Sequence, residues 1–249
     1  VARPRSFCSL APVINVAKRM VRVDLKPFEC NWTASMRSSN QPRNSFMVAG
    51  RWLNENSKSL TFANEQAQAM RTIANFIPRD EAQVAAQKKI IAFAELNKDA
   101  LHRSCLEGHF TGSSWVVNHE GDKGLILLHA KIKRWLQPGG HADGDACLAG
   151  VALKEATEET GITGLKVWSN PIDLDVHLFQ NRAKAEPDHW HLDTRFLIQA
   201  PEGALEEGNH ESDELRWIAE EELEDSELHL DPSTQRLARY GFALIRHLD

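Results

Sequence analysis

Cysteine is sparse in this chain of 249 residues. Cys8, Cys30, Cys105 and Cys147 are scattered, and no two of them form a C-x-x-C pair. That pattern excludes the usual cysteine-based structural zinc site and offers no compact disulfide framework. A reduced, cytoplasmic protein is the simplest reading. No apolar run approaches the roughly 20 residues needed to cross a bilayer, so no membrane partner is expected. Internal repeats are missing too, which excludes a solenoid. Excess positive charge is also lacking: the formal net charge is −6, which argues against a general nucleic-acid binder.

The charge is unevenly placed. Residues 1–60 hold ten Lys/Arg against three Asp/Glu, a balance of +7 that leaves −13 for the rest. This opening segment is rich in Arg, Ser, Asn and Pro and shows no sustained helical or strand period. It reads as a flexible or non-native basic extension. A transit-like targeting segment and a small basic binding arm are the other two readings.

Order is expected from near Phe62. Residues 61–104 read as a helical N-terminal extension. Asp80 and Gln83 have capping-box spacing, and Val84, Ile90, Ile91, Phe93 and Leu96 give the helix that follows an apolar side. Residues 105–249 read as the main domain. The β-rich Ser113–Asn118 and Leu125–His129, joined through Gly121 and Gly124, predict a hairpin. Asp145 is placed to cap a helix over 146–160, ending at Gly161. Further strands are expected over 172–179, 192–200 and 214–218, with a last helix over 232–247.

The chemistry concentrates in one stretch, from Gly139-Gly140-His141 through Lys154-Glu155-Ala156-Thr157-Glu158-Glu159 to Gly161-Ile162. Glu155 lies three residues before Glu158 and four before Glu159, so all three carboxylates share neighbouring parts of one helix surface. Three acids so close repel one another, and a divalent cation relieves this. Hard oxygen donors suit Mg²⁺, which shares phosphate oxygens with substrate; Mn²⁺ is the alternative. The double glycine lets backbone approach closely, and the Gly139 carbonyl can act as a ligand. The bland alternative is a solvated acidic helix end.

This stretch resembles the Nudix box, G-x5-E-x7-R-E-U-x-E-E-x-G-U, where U is a bulky aliphatic residue. Gly140, Glu155, Glu158, Glu159, Gly161 and Ile162 match it. Ala146, Lys154 and Ala156 depart from it, standing at the first Glu, the Arg and the first U. The leader Gly108-His109-Phe110-Thr111-Gly112-Ser113 and the loop Gly139-Gly140-His141-Ala142-Asp143-Gly144-Asp145 are similar to a largely bacterial branch of that family with an extra N-terminal helix. The resemblance covers roughly residues 105–248. It implies an α/β fold, the α/β/α sandwich with a mixed sheet, and a metal-dependent hydrolase cutting a diphosphate linkage in a nucleoside diphosphate joined to another group. Glu155, Glu159 and the Gly139 carbonyl are the implied metal ligands, with Glu158 a further ligand or the base. Lys154 is the implied positioning residue, though it lacks the planar fork of Arg. The loss of the first Glu leaves a catalytically weakened binding or regulatory module as the other reading. Asp143 and Asp145 lie close enough to stand in for that Glu, although surface caps are the favoured reading of both, and restoring the Glu by Ala146→Glu is expected to raise activity.

Around the box, His189, His191, Asp193 and Arg195 alternate with Trp190, Leu192 and Phe196, so a strand puts the four polar residues on one face. With His141 they form the expected substrate-binding set; a solvated or internally paired face is the alternative. Asp173, Asp175 and His177 alternate likewise. The resemblance also implies a further ligand or base beyond the box, for which Glu211 and Glu214 are the candidates. The expected partner is a small-molecule phosphate, and a homodimer is compatible with the sequence.

Overall fold

The computed structural model describes residues 50–180 and 187–248. In chain order the elements are β1 (Trp52–Asn54), α1 (Gln66–Ala74), α2 (Glu81–Leu96), β2 (Gly108–Val117), β3 (Lys123–His129), β4 (Trp135–Leu136), β5 (Gly139–His141), α3 (Leu148–Thr160), β6 (Lys166–Trp168), β7 (Asp173–Phe179), β8 (His189–Gln199), β9 (Ser212–Ala219) and α4 (Pro232–Ile245).

The strands form one mixed sheet. Its spine is the parallel pair β2–β8, in register from Gly108 opposite Trp190 to Val117 opposite Gln199. All other pairings are antiparallel: β1–β6–β8, β7–β8, β2–β5, β2–β3, β3–β4 and β3–β9. Alternation then sorts the β8 side chains. Phe196 and Ile198 join Ile73, Ile90, Leu148 and Ala152 in the core beneath α1, α2 and α3. Leu197 joins Trp115, Leu237 and Phe242 in the core beneath α4. Two helical layers thus enclose the sheet, the α/β/α sandwich with a mixed sheet expected from the sequence. Each large apolar side chain fully buried this way contributes about 1.5–3 kcal/mol.

Several boundaries differ from expectation. Residues 1–49 of the basic segment lie outside the described residues, but 50–60 belong to the fold. Trp52 pairs with Trp168 across β1–β6, their rings edge to face at 5.3 Å, and Leu53 is buried. Three residues are too short to show a period, so the sequence pattern passed over β1. The helices of 61–104 share the core of α3 through Ile73 and Ile90. Asp80 caps α2 by accepting from the Gln83 amide at 2.7 Å. The capping box closes differently: Gln83 reaches Asp173 at 2.8 Å, and its carbonyl oxygen accepts from the Arg79 amide. The predicted hairpin is only two residue pairs deep, because β5 takes the same edge of β2 from Thr111 to Ser113. The box helix starts at Leu148 with Cys147 as its N-cap, and Asp145 accepts from the Cys147 amide at 2.8 Å.

Candidate functional site

Glycine 139 and glycine 140 make the first half of the site possible. β5 runs beside β2, with Gly139 opposite Ser113 and Gly140 opposite Gly112. A Cβ on Gly139 would collide with Ser113 Oγ, and one on Gly140 would collide with the Glu155 carboxylate. Only bare backbone lets α3 and β2 close on this strand from both sides.

The acids of α3 divide by position. Glu159 is only 8% exposed, and its Oε2 accepts from the Gly139 amide at 2.8 Å. Burial pushes its carboxyl up to about 8; the Gly139 amide opposes this, and the charges of Glu155, Glu211 and Glu158 add to it. Burial likewise raises the Glu155 carboxyl, against the pull of Lys154. Glu158 stands outward in solvent. Lys154 Nζ lies 3.3 Å from Glu155 and 3.4 Å from Glu158, so it bridges two of the three acids. Gly161 ends the helix with φ of 68°, the left-handed cap expected of it.

The loop after β8 brings Glu211 to this group. The Glu207 amide donates to the Thr160 carbonyl at 2.7 Å. Asn209 Nδ2 donates to the Glu158 carbonyl at 2.9 Å, and Asn209 Oδ1 accepts from the Glu211 amide at 2.8 Å. Glu214 lies further along β9, opposite Leu128 and exposed. Among the described residues it makes no hydrogen bond or ion pair with the box acids.

The two aspartates near the box are committed elsewhere. Asp143 forms a forked pair with Arg103, both bonds at 2.7 Å. Asp145 accepts from the amides of Ala63 and Cys147. Ala146 itself is buried in the core with 1% exposure.

The polar face of β8 splits in two. Asp193 and Arg195 are buried in an ion network. Asp193 accepts from Thr111 at 2.9 Å, Ser113 at 2.8 Å and Arg195 Nε at 2.7 Å. Arg195, 2% exposed, also reaches Asp173 at 3.3 Å, Asp175 at 3.2 Å and Ser233 Oγ at 2.6 Å. Burial works against its charge, but Asp175, Asp193 and Asp173 hold the guanidinium protonated. The internally paired alternative is the arrangement found, with both side chains buried. Arg236 of α4 adds a second guanidinium on Asp173 and Asp175. The sequence reading missed it because an Arg on an amphipathic helix carries no local signal.

His189 and His191 gather instead with His141 and with His109, another residue the sequence reading passed over. Its signal was present: His109, Thr111 and Ser113 alternate as the β8 residues do. Ring centroids lie at 4.7 Å for His109–His141 and for His109–His189, and at 5.0 Å for His141–His191. Burial, then Arg103 and His109, lowers the His141 imidazole to about 4.

The NUDIX domain family matches residues 110–239, just over half of the chain. Over 119 residues the chain is 32% identical to a Mycobacterium tuberculosis protein named for 8-oxo-dGTP diphosphatase, covering 44% of this chain and 51% of that protein. The chain thus spans about half the length of that relative. A Lactococcus lactis subsp. cremoris protein named for DHNTP pyrophosphohydrolase is 27% identical over 125 residues, covering 48% of this chain and 74% of the relative. A crystal structure of a C. elegans Ap4A hydrolase binary complex aligns with a TM-score of 0.45 and 17% identity, covering 55% of this chain and 98% of that one. With the box, its glycine loop and the sandwich all in place, the chain belongs to the NUDIX domain family.

Proposed function

We propose that this protein hydrolyses a diphosphate linkage in a nucleoside diphosphate derivative. The observation that carries this is the convergence of Glu155 and Glu159 on Gly139–Gly140, with Glu159 buried and its carboxylate accepting from the Gly139 backbone amide. Such a carboxylate is poorly compensated for structure alone. The donor set is all oxygen and hard, so it fits Mg²⁺ or Mn²⁺ rather than a thiophilic ion. Glu155, Glu159 and the Gly139 carbonyl would hold that ion, with Glu158 at the outer edge. A bound divalent ion supplies neutralisation of phosphate charge and a lowered pKa for water.

The chain's own groups do the rest. Lys154 keeps Glu155 and Glu158 together by bridging them. Glu211, half-exposed beside Glu159, takes the proton of the attacking water. That water oxygen bonds to one phosphorus, the bridging P–O bond breaks, and the leaving phosphate keeps the electron pair. Asp193 and Arg195 hold β8 in place from within the core. The relatives' names suggest a nucleoside or pterin triphosphate as the substrate class.

The test is phosphate or diphosphate release across a panel of nucleotide substrates, with and without Mg²⁺. Turnover that vanishes with chelator and returns with Mg²⁺ supports the reading. The buried alanine at position 146 favours a second one, a binding module without turnover. Nucleotide binding by calorimetry with no release in the same panel would support that instead.

A further inference from the structure

We propose that His109, His141, His189 and His191 form a transition-metal site of the zinc class, separate from the carboxylate site of α3. One ring nitrogen from each lies within 4.8 Å of all the others. Three strands deliver them. His109 sits opposite His191 across β2–β8, and His141 sits opposite Thr111 across β2–β5, two residues along the same face. His189 precedes His191 on that face by the period of the strand.

Hydrogen bonds point the lone pairs inward. His189 Nδ1 lies 2.9 Å from the Pro187 carbonyl, and His109 Nδ1 lies 3.4 Å from the Cys105 carbonyl. A carbonyl only accepts, so each Nδ1 carries the proton and each Nε2 offers a lone pair. This is how metal-binding histidines are commonly fixed, by an acceptor hydrogen-bonded to the ring nitrogen that faces away from the metal. His109 Nε2 is buried and has no hydrogen-bond partner. His189 Nε2 and His191 Nε2 are 3.2 Å apart. Two nitrogens bound to one tetrahedral ion at ~2.0–2.1 Å would lie about 3.3 Å apart.

The alternatives fit less well. An anion site needs N–H groups facing inward, but the carbonyls have drawn two of those protons outward. Plain core histidines usually pair their buried nitrogens, whereas His109 Nε2 faces three other imidazoles with no partner. Four imidazoles suit Zn²⁺, Co²⁺, Ni²⁺ or Cu²⁺ and not Mg²⁺. The two sites also lie on opposite faces of β5: alternation turns Gly140 toward Glu155 and His141 the other way. Four protein ligands make a closed site, whose work is to fasten β2, β5 and β8 together. The histidines are thereby assigned to an ion rather than directly to substrate, and this does not depend on the hydrolase reading.

The test uses the full chain, stripped with chelator and re-equilibrated with Zn²⁺ in excess Mg²⁺. The expected result is one zinc retained per chain after gel filtration and a melting temperature raised by about 5 °C over Mg²⁺ alone. Co²⁺ in place of zinc should give the absorption bands of a tetrahedral nitrogen site. His189→Gln and His191→Gln should each weaken zinc binding at least about 100-fold, whereas Glu159→Gln should keep it. Wild-type protein that retains no zinc above background overturns the proposal, and needs no variant to fold. So does zinc that follows Glu159 rather than the histidines. Neither readout requires turnover, so failure here leaves the hydrolase assay to be judged on its own.

Discussion

The Ala146 amide donates to the Ala63 carbonyl at 2.6 Å, and the Ala63 amide donates to Asp145 Oδ1 at 3.1 Å. This reciprocal pair clamps the segment ahead of α1 onto the approach to the box helix. It also explains the alanine. Where the family pattern has its first Glu, this chain has a residue covered by its own N-terminal segment.

That contact reverses an expectation from the sequence. Ala146→Glu looked like a repair, but the new carboxylate would be buried in the apolar core without a partner. The expected cost is at least about 3 kcal/mol, with no gain in hydrolysis. Denaturant midpoints and Mg²⁺-dependent turnover, measured on the same samples, check this. A folded variant with higher activity would show that the segment moves aside.

Glu159→Gln separates chemistry from folding. Gln keeps the shape and an oxygen to accept from the Gly139 amide, but it abolishes the ionised form, which burial and the charges of Glu155 and Glu211 disfavour and which a bound cation would need. Without metal, the melting temperature should stay level or rise. Hydrolysis should fall by about two orders of magnitude or more, the scale of a lost metal-assisted step. Unchanged turnover would remove Glu159 from the site.

What the sequence revealed follows the range of each interaction. The acids of α3 were legible because their spacing lies within two helical turns, and Gly161 because a left-handed cap is a local demand. The alternating polar face of β8 was legible for the same reason. Its meaning was not, because Arg195 finds its partners on β7 and α4, and His191 finds His109 across a parallel pairing between distant segments. A parallel pair leaves no turn signal in the sequence. β1 was too short to register, and the burial of Ala146 depends on a segment more than eighty residues earlier.

The network around Arg195 should dominate acid stability. Asp175 faces Arg195 and His177 on the sheet, Arg236 and Ser233 from α4, and the charge of Lys89 from α2. Burial opposes its ionisation, but Arg195 and then His177 hold its carboxyl well below the ordinary range. A depressed folded pKa contributes stability above the unfolded value, and that stability is lost as pH falls through the folded one. Unfolding should therefore set in below about pH 4, where unfolded carboxylates take up protons. Arg195→Ala leaves Asp193 and Asp175 without their main partner and should cost about 3–5 kcal/mol at neutral pH. Equilibrium denaturation across pH measures both effects. A variant as stable as the parent would show that Arg236 on Asp173 and Asp175, with the Thr111 and Ser113 hydroxyls on Asp193, suffices.

Gly161 links helix termination to the placement of Glu211. Its φ of 68° is a conformation that side chains other than glycine resist, and a Cβ there would lie 2.5 Å from the Glu207 carbonyl oxygen. The Glu207 amide is bonded to the Thr160 carbonyl, and the same loop runs through Asn209 to Glu211. Gly161→Ala therefore does two things. It strains the cap, at a cost of about 1–2 kcal/mol, and it pushes Glu207 away, carrying Glu211 from Glu159. Strain alone would lower the melting temperature and leave kcat of the folded protein intact. Displacement of Glu211 should lower kcat by about tenfold or more with little change in KM, because the proton acceptor moves while the acids of α3 stay. Glu211→Gln should reproduce the kcat loss without the stability loss. If Gly161→Ala is destabilised but turns over at the parent rate, Glu211 is not the base and the loop serves only to hold the helix end.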